Sequence, residues 1–571
     1  MHHKIIIYQT LPRLHGNTTG ENKFAGTLAD NGSGHFSDYT PRALDAIRLL
    51  GCNHVWYTGV IRHAQRTDYS AIGIPAGNPY IIKGEAGSPY AIVDYYDVDP
   101  DLADRPAERM KEFEALVART HAAGLKVIID FVPNHVGRQY QSVAKPEGVR
   151  DFGTDDRTDH FFHPQNNFFY CNTPFTPSIN LGYGSDRYVE NPARATGNDC
   201  YNASPGVNDW YETVKLNYGV DPWNGARRFD PRPDTWDKML HILLYWAGKG
   251  IDGFRCDMAH MVPVEFWEWA IARVKAEYPE LIFIAELYEP AIYRDYLFRG
   301  GFDYLYDKVG LYDTLRAVTE GRAPASAITG CWQSLEGIQD RMLNFLENHD
   351  EQRIASDFFA RDPERAIPAL VVSASMNVNP FMIYEGQELG EPGMEMEGFS
   401  GKDGRTTIFD YWTLDTLARR NNGGRWDEKK LTTAERQLLH TYARLLRACG
   451  ESPAIAQGRF YDLMYCNQAS FGFNPTAHYA YLRHAEHELV LVVANFSADD
   501  AAPEVVIPRH AFEWLGLSEG SFNAMDLLSG KRQKVVLEAD KPMPCRVAAH
   551  TAMMLKVRLS DKKKENNKKT I

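Results

Sequence analysis

Polar side chains with catalytic chemistry follow four short apolar runs of the chain. The four segments read Asp130-Phe131-Val132-Pro133-Asn134-His135, Gly253-Phe254-Arg255-Cys256-Asp257, Ala285-Glu286 and Asn348-His349-Asp350. Such a set suits glycoside cleavage, which needs one ionised carboxylate as nucleophile and one protonated carboxyl group as acid. An arginine beside the nucleophile would keep it ionised, and further Asp and His side chains would bind sugar hydroxyls. The 11 Trp, 30 Tyr and 28 Phe residues offer flat apolar faces for sugar rings.

Each segment taken alone also has an ordinary structural explanation. A strand-end Asp commonly caps the next helix, and Glu286 could be a paired structural carboxylate. Asn348-His349-Asp350 could be half of a metal site. Arg255 and Asp257 lie two residues apart, hence on one face of a strand, where a plain salt bridge is the default. Their joint occurrence favours a common site, because unrelated caps have no reason to gather at one end of a barrel.

The spacing of the apolar runs predicts the scaffold that positions these segments. Short apolar strands alternate with helical patterns such as 235–248 and 264–277 over roughly the first 390 residues. This rhythm predicts an α/β fold with a (β/α)8 barrel, and the alternative is a doubly wound open sheet. The predicted strands are 5–9, 53–58, 125–132, 253–257, 281–287, 302–306, 342–347 and 381–384.

One unit illustrates the local signals. Asp104-Arg105-Pro106 predicts a helix start, with Asp104 as cap and Pro106 at the first helical position. Gly124 predicts the helix end, and the buried strand 125–132 follows.

Two stretches interrupt the rhythm and predict further domains. Residues 137–216 are rich in Asn, Pro, Gly and aromatics, and a structureless loop of that length is uncommon in a compact domain. They are predicted to form an inserted subdomain after strand 3, between barrel parts 1–136 and 217–451. Short alternating strands from 452 to 560 predict a C-terminal antiparallel β-sandwich. Residues 561–571 are predicted to be a disordered basic tail.

Charge and hydropathy exclude several classes of partner. The chain has 571 residues, 62 Lys plus Arg against 75 Asp plus Glu, and a net charge of −13. An acidic chain is a poor binder of nucleic acid or anionic membranes. The sequence contains no run of about 18 apolar residues, so no membrane span is predicted. A neutral substrate such as an α-glucan oligosaccharide or polysaccharide fits this charge, which by itself does not identify the substrate, and the sequence leaves the oligomeric state open.

Cysteine usage and the N-terminus suggest a compartment. The 8 cysteines lie far apart without a C-x-x-C pair, so they allow four disulfides or eight reduced thiols. The apolar run Ile5-Ile6-Ile7 is too short for a secretory signal. Without a signal, reduced thiols and a cytoplasmic location are the expectation.

The four polar segments resemble the conserved regions of the α-amylase family of glycoside hydrolases (family 13). DFVPNH is similar to the first region, GFRCD to the second, IAELYE to the third and FLENHD to the fourth. Further similarities are IIIYQT, SPYAIVDYYDVDP and YEGQELG. The resemblance covers roughly residues 1–400, and it implies the barrel, the inserted domain and the C-terminal sandwich.

The resemblance implies a role for each site residue. Asp257 would be the nucleophile, Glu286 the acid and then the base, and Asp350 the carboxylate that binds hydroxyls of the distorted sugar. The carboxyl groups of Asp257 and Glu286 would lie about 5–5.5 Å apart, as in retaining enzymes. Residues that would bind or position the substrate are Arg255, His135, His349, Tyr90, His260 and Asp130.

Departures from the family pattern affect the acceptor side and a calcium site. Where many members carry Lys-His after the nucleophile, this chain has His260-Met261. A stretch whose Asp can bind calcium in the family reads Thr213-Val214-Lys215-Leu216-Asn217 here. An ammonium group there would repel calcium and could replace it electrostatically. We therefore expect that the protein requires no cofactor, and a calcium site is possible but doubtful.

The functional prediction is a retaining enzyme that cleaves α-1,4-glucosidic bonds of maltodextrin, glycogen or starch. One alternative is a transglycosylase, maltosyltransferase or sucrose- or trehalose-active relative. Phe266-Trp267-Glu268-Trp269 is similar to maltosyltransferases that use maltose 1-phosphate, although a buried helix face explains the same residues. A second alternative is a non-enzymatic relative such as a transporter heavy chain. Such relatives lack the catalytic carboxylates and carry a membrane span, unlike this sequence.

Overall fold

A closed barrel of eight parallel strands forms the centre of the molecule. The computed structural model describes residues 4–559, so the predicted tail 561–571 lies outside the described residues. Each barrel strand pairs in parallel with its neighbours along the chain, and β1 closes the barrel against β8. Numbered along the chain, β1 to β8 are Ile6–Thr10, His54–Tyr57, Lys126–Phe131, Gly253–Cys256, Ile282–Ala285, Tyr304–Tyr306, Met342–Phe345 and Phe381–Tyr384. The predicted barrel is confirmed, and the open-sheet alternative is wrong.

Helices surround the barrel because their apolar faces pack on the outer side of the strands. The principal helices α1 to α8 are Pro41–Leu50, Arg109–Ala122, Asp234–Ala247, Val264–Glu277, Tyr293–Phe298, Asp313–Thr319, Ile367–Ser375 and Thr433–Glu451. Further helices are Pro12–His15, Leu28–Asn31, Ala327–Ser334, Asp415–Asn421, Pro453–Ala456, Met464–Asn467 and Arg509–Leu515. Among residues 4–559, no helix is both long enough and apolar enough to cross a bilayer.

The start of α2 differs from its predicted cap. The helix begins at Arg109, after a 3-10 turn over Pro106–Glu108. The Asp104 carboxylate contacts His35 at 3.1 Å instead of capping. The Glu112 carboxylate accepts the backbone N–H groups of Asp104 and Arg105, at 2.8 and 2.9 Å. A side chain inside the helix therefore holds the segment that leads into it.

Side chains alternate between the interior of the barrel and the layer beneath the helices. Interior residues include Ile7, Trp56, Ile128, Ile284 and Met382, which form one buried cluster. Cys256 is fully buried and belongs to a second, larger apolar cluster, which lies between the strands and the helices. Its neighbours Arg255 and Asp257 therefore point to the interior face, as the period of two in a strand requires.

An irregular insertion follows β3. Strand His135–Gly137 pairs with strand Thr213–Lys215 and closes the insertion at its base. Strands Ile61–His63 and Ile92–Val98 form a separate hairpin after β2. The insertion has a small apolar cluster of its own, around Phe175 and Tyr188.

Antiparallel sheets form the C-terminal part. A six-stranded sheet has the spatial order Arg459–Asp462, His478–Ala485, Glu488–Asn495, Thr551–Arg558, Gly520–Asp526 and Arg532–Leu537. Strands Glu504–Val506 and Pro542–Pro544 form a second sheet. This arrangement is consistent with the predicted β-sandwich. All eight cysteines fall within the described residues, and each is a free thiol there.

Candidate active site

The guanidinium of Arg255 lies at the centre of a buried carboxylate cluster. Strand register explains the gathering, because Asp130 on β3 lies opposite Arg255 on β4. Asp257 and Glu286 directly follow β4 and β5, which are neighbours in the barrel. Arg255 Nη1 is 2.7 Å from Asp257 Oδ1, and Nη2 is 2.7 Å from Glu286 Oε1. Nη1 is also 3.5 Å from Asp130 Oδ1.

Aromatic rings enclose this guanidinium. Its central carbon lies 5.3 Å from the Trp56 ring centre and 5.5 Å from those of Tyr90 and Tyr306. Arg255 Nε also donates a hydrogen bond to the Tyr306 hydroxyl at 3.2 Å. The rings exclude water while their faces attract the cation, so the charge of Arg255 acts on the carboxylates at reduced screening.

Glu286 has more hydrogen-bond donors than Asp257. The Tyr288 hydroxyl donates to Oε1 at 2.6 Å, and the Met258 N–H donates to Oε2 at 2.8 Å. Burial alone would raise the pKa of Glu286, but the Arg255 charge and these donors lower it. Burial and the Glu286 charge raise the pKa of Asp257 well above its usual value.

These directions correct one part of the sequence prediction. Arg255 was expected to keep Asp257 ionised while Glu286 held the proton. The guanidinium is shared between the two carboxyl groups, and the additional donors favour the ionised form of Glu286. The proton in the pair therefore favours Asp257 until a substrate changes the surroundings.

Asp350 lies beside the pair, in contact with a buried histidine. Its Oδ2 is 3.1 Å from His349 Nε2, and 38% of the Asp350 side chain remains exposed. His349 is held from the other side by the Gln9 amide, at 2.7 Å from Nδ1. Burial and then the Arg255 charge lower the pKa of His349 well below its usual value. His349 is therefore neutral, and Asp350 is free to offer its exposed oxygen to a ligand.

Tyr90 contacts both His349 and the guanidinium of Arg255. Its hydroxyl is 2.5 Å from His349 Nε2, and the two rings stack with centres 5.4 Å apart. Tyr90 is half-buried, so part of its ring faces the cleft, where a sugar could stack.

Asp130 has the contacts of a carboxylate that supports the structure of the site. Its Oδ2 accepts the Trp56 indole N–H at 3.1 Å and the Gly59 N–H at 3.3 Å. Burial raises the pKa of Asp130 to about 6, although Arg255 opposes that rise. Asp130 thus links β2 to the arginine and orients both.

His135 lies at the base of the insertion, where Lys215 takes the position considered for calcium. Lys215 Nζ contacts Asn134 Oδ1, lies 2.7 Å from Asp199 Oδ1 and donates to the Met261 carbonyl at 3.3 Å. A calcium ion needs roughly six to eight oxygens, and here an ammonium group already uses the available ones. The residues present therefore do not fit calcium at this position. Across residues 4–559, no group of three or more His, Cys, Asp or Glu side chains is arranged to hold a metal ion.

His260 lies close to Tyr288, whose hydroxyl donates to Glu286. It belongs to the 3-10 turn Ala259–Met261, and its ring centre is 6.2 Å from that of Tyr288. Trp267 supports this turn by donating its indole N–H to the Ala259 carbonyl at 3.1 Å. Phe266 and Trp267 are fully buried, so these two aromatics of the segment that is similar to maltosyltransferases are core residues.

Sequence reasoning named no role for several residues that complete the site. Tyr288, Trp56, Tyr306 and Gln9 all contact named site residues. Tyr288 lies two residues after Glu286, and Gln9 lies within the quoted IIIYQT segment. Strand alternation from the known acids would have found Tyr288, whereas Trp56 and Tyr306 require the closed barrel.

Comparisons with known proteins relate this chain to α-amylases. The family model for the α-amylase catalytic domain matches residues 21–196. Alpha-amylase 2 of Dictyoglomus thermophilum is 21% identical over 496 residues, covering 86% of this chain and 69% of that protein. The alpha-1,4-glucan:maltose-1-phosphate maltosyltransferase of Cereibacter sphaeroides is 27% identical over 261 residues, which are 45% of this chain and 30% of that protein.

A solved structure is also similar in its fold. The α-amylase of Geobacillus thermoleovorans, complexed with acarbose, has a TM-score of 0.63 at 18% identity. The superposition covers 98% of this chain and 99% of that one.

The fold and the site together define a (β/α)8-barrel protein with a carboxylate cluster at the C-terminal ends of its strands. The family model, the curated relatives and the similar solved structures all point to the α-amylase family of glycoside hydrolases (family 13).

Proposed function

We propose that the protein is a retaining glycosidase that cleaves α-1,4-glucosidic bonds of maltodextrin, glycogen or starch. The observation that carries the proposal is the placement of Asp257 and Glu286 on the two terminal nitrogens of one buried guanidinium. Two buried carboxyl groups that share one cation cannot both ionise easily, so one keeps a proton, and glycoside cleavage needs one protonated and one ionised group.

In the proposed first step, a sugar enters the cleft beside Tyr90 and Asp350. As the neutral sugar displaces water, the proton held by the pair passes from Asp257 to Glu286, which leaves Asp257 as the carboxylate and Glu286 as the acid. Glu286 donates its proton to the glycosidic oxygen, the bond from that oxygen to the anomeric carbon breaks, and the bonding electrons go to the oxygen. The Asp257 carboxylate forms a bond to the anomeric carbon.

In the second step, Glu286 is ionised and acts as a base. It takes a proton from water, whose oxygen attacks the anomeric carbon and releases Asp257 as the carboxylate. Two displacements restore the original anomeric configuration. The 5–5.5 Å separation expected for retaining enzymes stays a prediction.

Asp350 and His349 would bind hydroxyls of the sugar at the cleavage point. Their mutual contact at 3.1 Å fixes both groups, and neutral His349 avoids placing a second cation near Arg255. His135 would bind the same sugar from the insertion side, and His260 would contact the leaving group.

A transferase is the second candidate. It uses the same covalent intermediate, which a sugar hydroxyl or phosphate then attacks in place of water. The similarity to the maltosyltransferase of Cereibacter sphaeroides supports this candidate, but it spans only 30% of that protein. Phe266 and Trp267 do not add support, because both lie in the core.

Proton NMR of maltoheptaose products at early times tests the proposal, with Asp257→Asn as control. Shorter maltodextrins released as the α-anomer, with and without orthophosphate, would support a retaining hydrolase. Longer products, or maltose 1-phosphate formed only with phosphate, would instead identify a transferase. Products released as the β-anomer would contradict the double displacement.

A further inference from the structure

The Tyr288 hydroxyl has a specific contact with the predicted acid. Tyr288 follows β5, its hydroxyl donates to Glu286 Oε1 at 2.6 Å, and the residue is half-buried. The Arg255 guanidinium approaches the same oxygen at 2.7 Å. Glu286 Oε1 therefore has two donors, the buried cation and the Tyr288 hydroxyl, and the His260 ring is a neighbour of the Tyr288 ring.

We propose that Tyr288 is a positioning residue that sets the acid strength of Glu286 and holds its carboxyl group toward the leaving group. The inference deepens the proposed function and rests on it. Tyr288 makes no bond to the reacting atoms in this proposal, so Glu286 remains the group that gives the proton.

The direction of the effect follows from the donor. A hydroxyl donates one proton, and it stabilises a carboxylate more than a neutral carboxyl group. Burial and the Glu286 charge raise the pKa of Tyr288 well above its usual value, so the phenol stays protonated and remains a donor. Tyr288 therefore stabilises the Glu286 carboxylate that remains after proton donation, which makes Glu286 a stronger acid.

The position of the donor also orients the carboxyl group. The Met258 N–H holds Oε2 at 2.8 Å while the Tyr288 hydroxyl holds Oε1, so each of the two oxygens has a donor of its own. Loss of the Tyr288 hydroxyl would leave Oε1 to Arg255 alone. The carboxyl group would then turn toward the guanidinium and away from the leaving group.

Tyr288→Phe removes the hydroxyl and keeps the ring, so the fold should persist. We expect kcat for maltoheptaose, whose leaving group is a sugar alcohol, to fall by about 10- to 100-fold. An α-maltoside with a nitrophenol leaving group needs little protonation, and its kcat should fall by less than about threefold. The basic limb of the kcat profile should move to higher pH by about one unit, because the pKa of Glu286 rises.

The matched control is Tyr293→Phe. Tyr293 is buried and lies close to Tyr288 in the sequence. Its hydroxyl has no hydrogen-bond partner within the described part of the molecule. This variant should keep wild-type rates, leaving-group dependence and pH profile. Melting temperatures of both variants would reveal a general loss of structure.

Two outcomes would overturn the inference. Equal losses with both leaving groups and an unmoved basic limb would assign Tyr288 a merely structural role. Wild-type kinetics in Tyr288→Phe would remove any role in the reaction. Failure of the proposed function is distinguishable, because the wild-type protein would then cleave neither substrate.

Discussion

At the scale of single residues, Arg255 governs the charge of the site. The residues Asp130, Asp257 and Glu286 are all buried, and all lie within 3.5 Å of the same guanidinium. One cation cannot neutralise three carboxylates, so the remaining charge is relieved by protonation. Burial, together with the Glu286 charge, raises the pKa values of Asp257 and Asp130, which is the direction that this relief requires.

Asp257→Asn tests the role of the nucleophile. The amide has the shape of the carboxylate but cannot form the glycosyl-enzyme, so we expect kcat on maltoheptaose to fall by about 10⁴-fold or more. Circular dichroism should be unchanged. A variant with near-normal rates would contradict the assignment, and Asp186→Asn, an exposed position of the insertion, serves as the control.

The same substitution has a predicted pH signature in stability. The raised folded-state pKa of Asp257 means that its contribution is favourable below its unfolded pKa, about 3.9, and is lost as pH rises through the folded value. Asp257→Asn cannot ionise, so it should melt at a higher temperature than wild type at alkaline pH. The difference should shrink as the pH falls toward about 4.

The residue types of the site could be predicted, but their protonation could not. Polar groups after apolar runs pointed to Asp257, Glu286 and Asp350 in advance. The preference of Glu286 for its ionised form depends on the Met258 N–H and the Tyr288 hydroxyl. Neither the direction of a backbone N–H nor the sharing of one guanidinium can be inferred from residue order.

At the scale of elements, buried ion pairs help to hold the insertion together. Glu190 accepts from Arg138 Nη1 at 2.8 Å, Arg194 Nη2 at 2.8 Å and the Tyr188 hydroxyl at 2.7 Å. The Glu190 side chain is only 7% exposed. Burial alone would raise its pKa, but Arg194 and Arg138 lower it to about 2.

Glu190→Gln should therefore destabilise the protein in a pH-dependent way. A folded pKa of about 2 against an ordinary 4.5 corresponds to about 3 kcal/mol of stability near neutral pH. This contribution is present above about pH 4.5 and is lost as pH falls toward 2. Urea unfolding from pH 3 to 7 measures it, with the exposed Glu147→Gln as control. An equal difference at every pH would contradict the prediction.

Lys215 joins the insertion to the ends of two barrel strands. Lys215→Met keeps the length of the side chain but removes the ammonium group from Asn134, Asp199 and Met261. We expect a loss of about 1–3 kcal/mol in unfolding free energy. The exposed Lys402→Met should cost little.

Treatment with a chelator tests whether the ammonium group of Lys215 or a metal ion supplies the positive charge at this position. Because Lys215 already supplies the positive charge there, EDTA should leave the melting temperature and activity of the wild-type protein unchanged. A chelator-sensitive melting temperature would show that a metal ion stabilises the fold after all.

The elements themselves differ in how predictable they were. Barrel strands are continuous apolar runs buried on both faces, so their positions could be inferred from composition. The insertion has short pairings such as His135–Gly137 with Thr213–Lys215 and is otherwise irregular. Its shape depends on buried ion pairs such as Arg138 with Glu190, and residue order does not specify such partners.

At the scale of the whole molecule, the C-terminal sheet covers part of the barrel. Helix α7 is buried from Pro368 to Ser375, and it contacts strands Glu488–Asn495 and Thr551–Arg558. A helix with no exposed face needs a second layer, and the sheet supplies it. The barrel and the sheet should therefore unfold together.

Arg483 offers a test of this coupling. It is fully buried on strand His478–Ala485, and its guanidinium donates to the carbonyl of Met376, just after α7, at 2.9 Å. It also donates to the carbonyls of Ala454, Ile455 and Gly458, at 3.2, 3.0 and 2.8 Å. Arg483→Met would leave these acceptors buried without this donor, at a cost of about 2–5 kcal/mol.

Calorimetry should then give one transition for wild type and one, at lower temperature, for Arg483→Met. Activity on maltoheptaose should be lost over the same temperature range, because the strands that carry Asp257 and Glu286 unfold with the sheet. Arg558→Met, an exposed position at the end of strand Thr551–Arg558, should leave the transition where it was. Two separate transitions, with only one of them moved by Arg483→Met and activity following the other, would mean that the barrel is stable without its C-terminal layer.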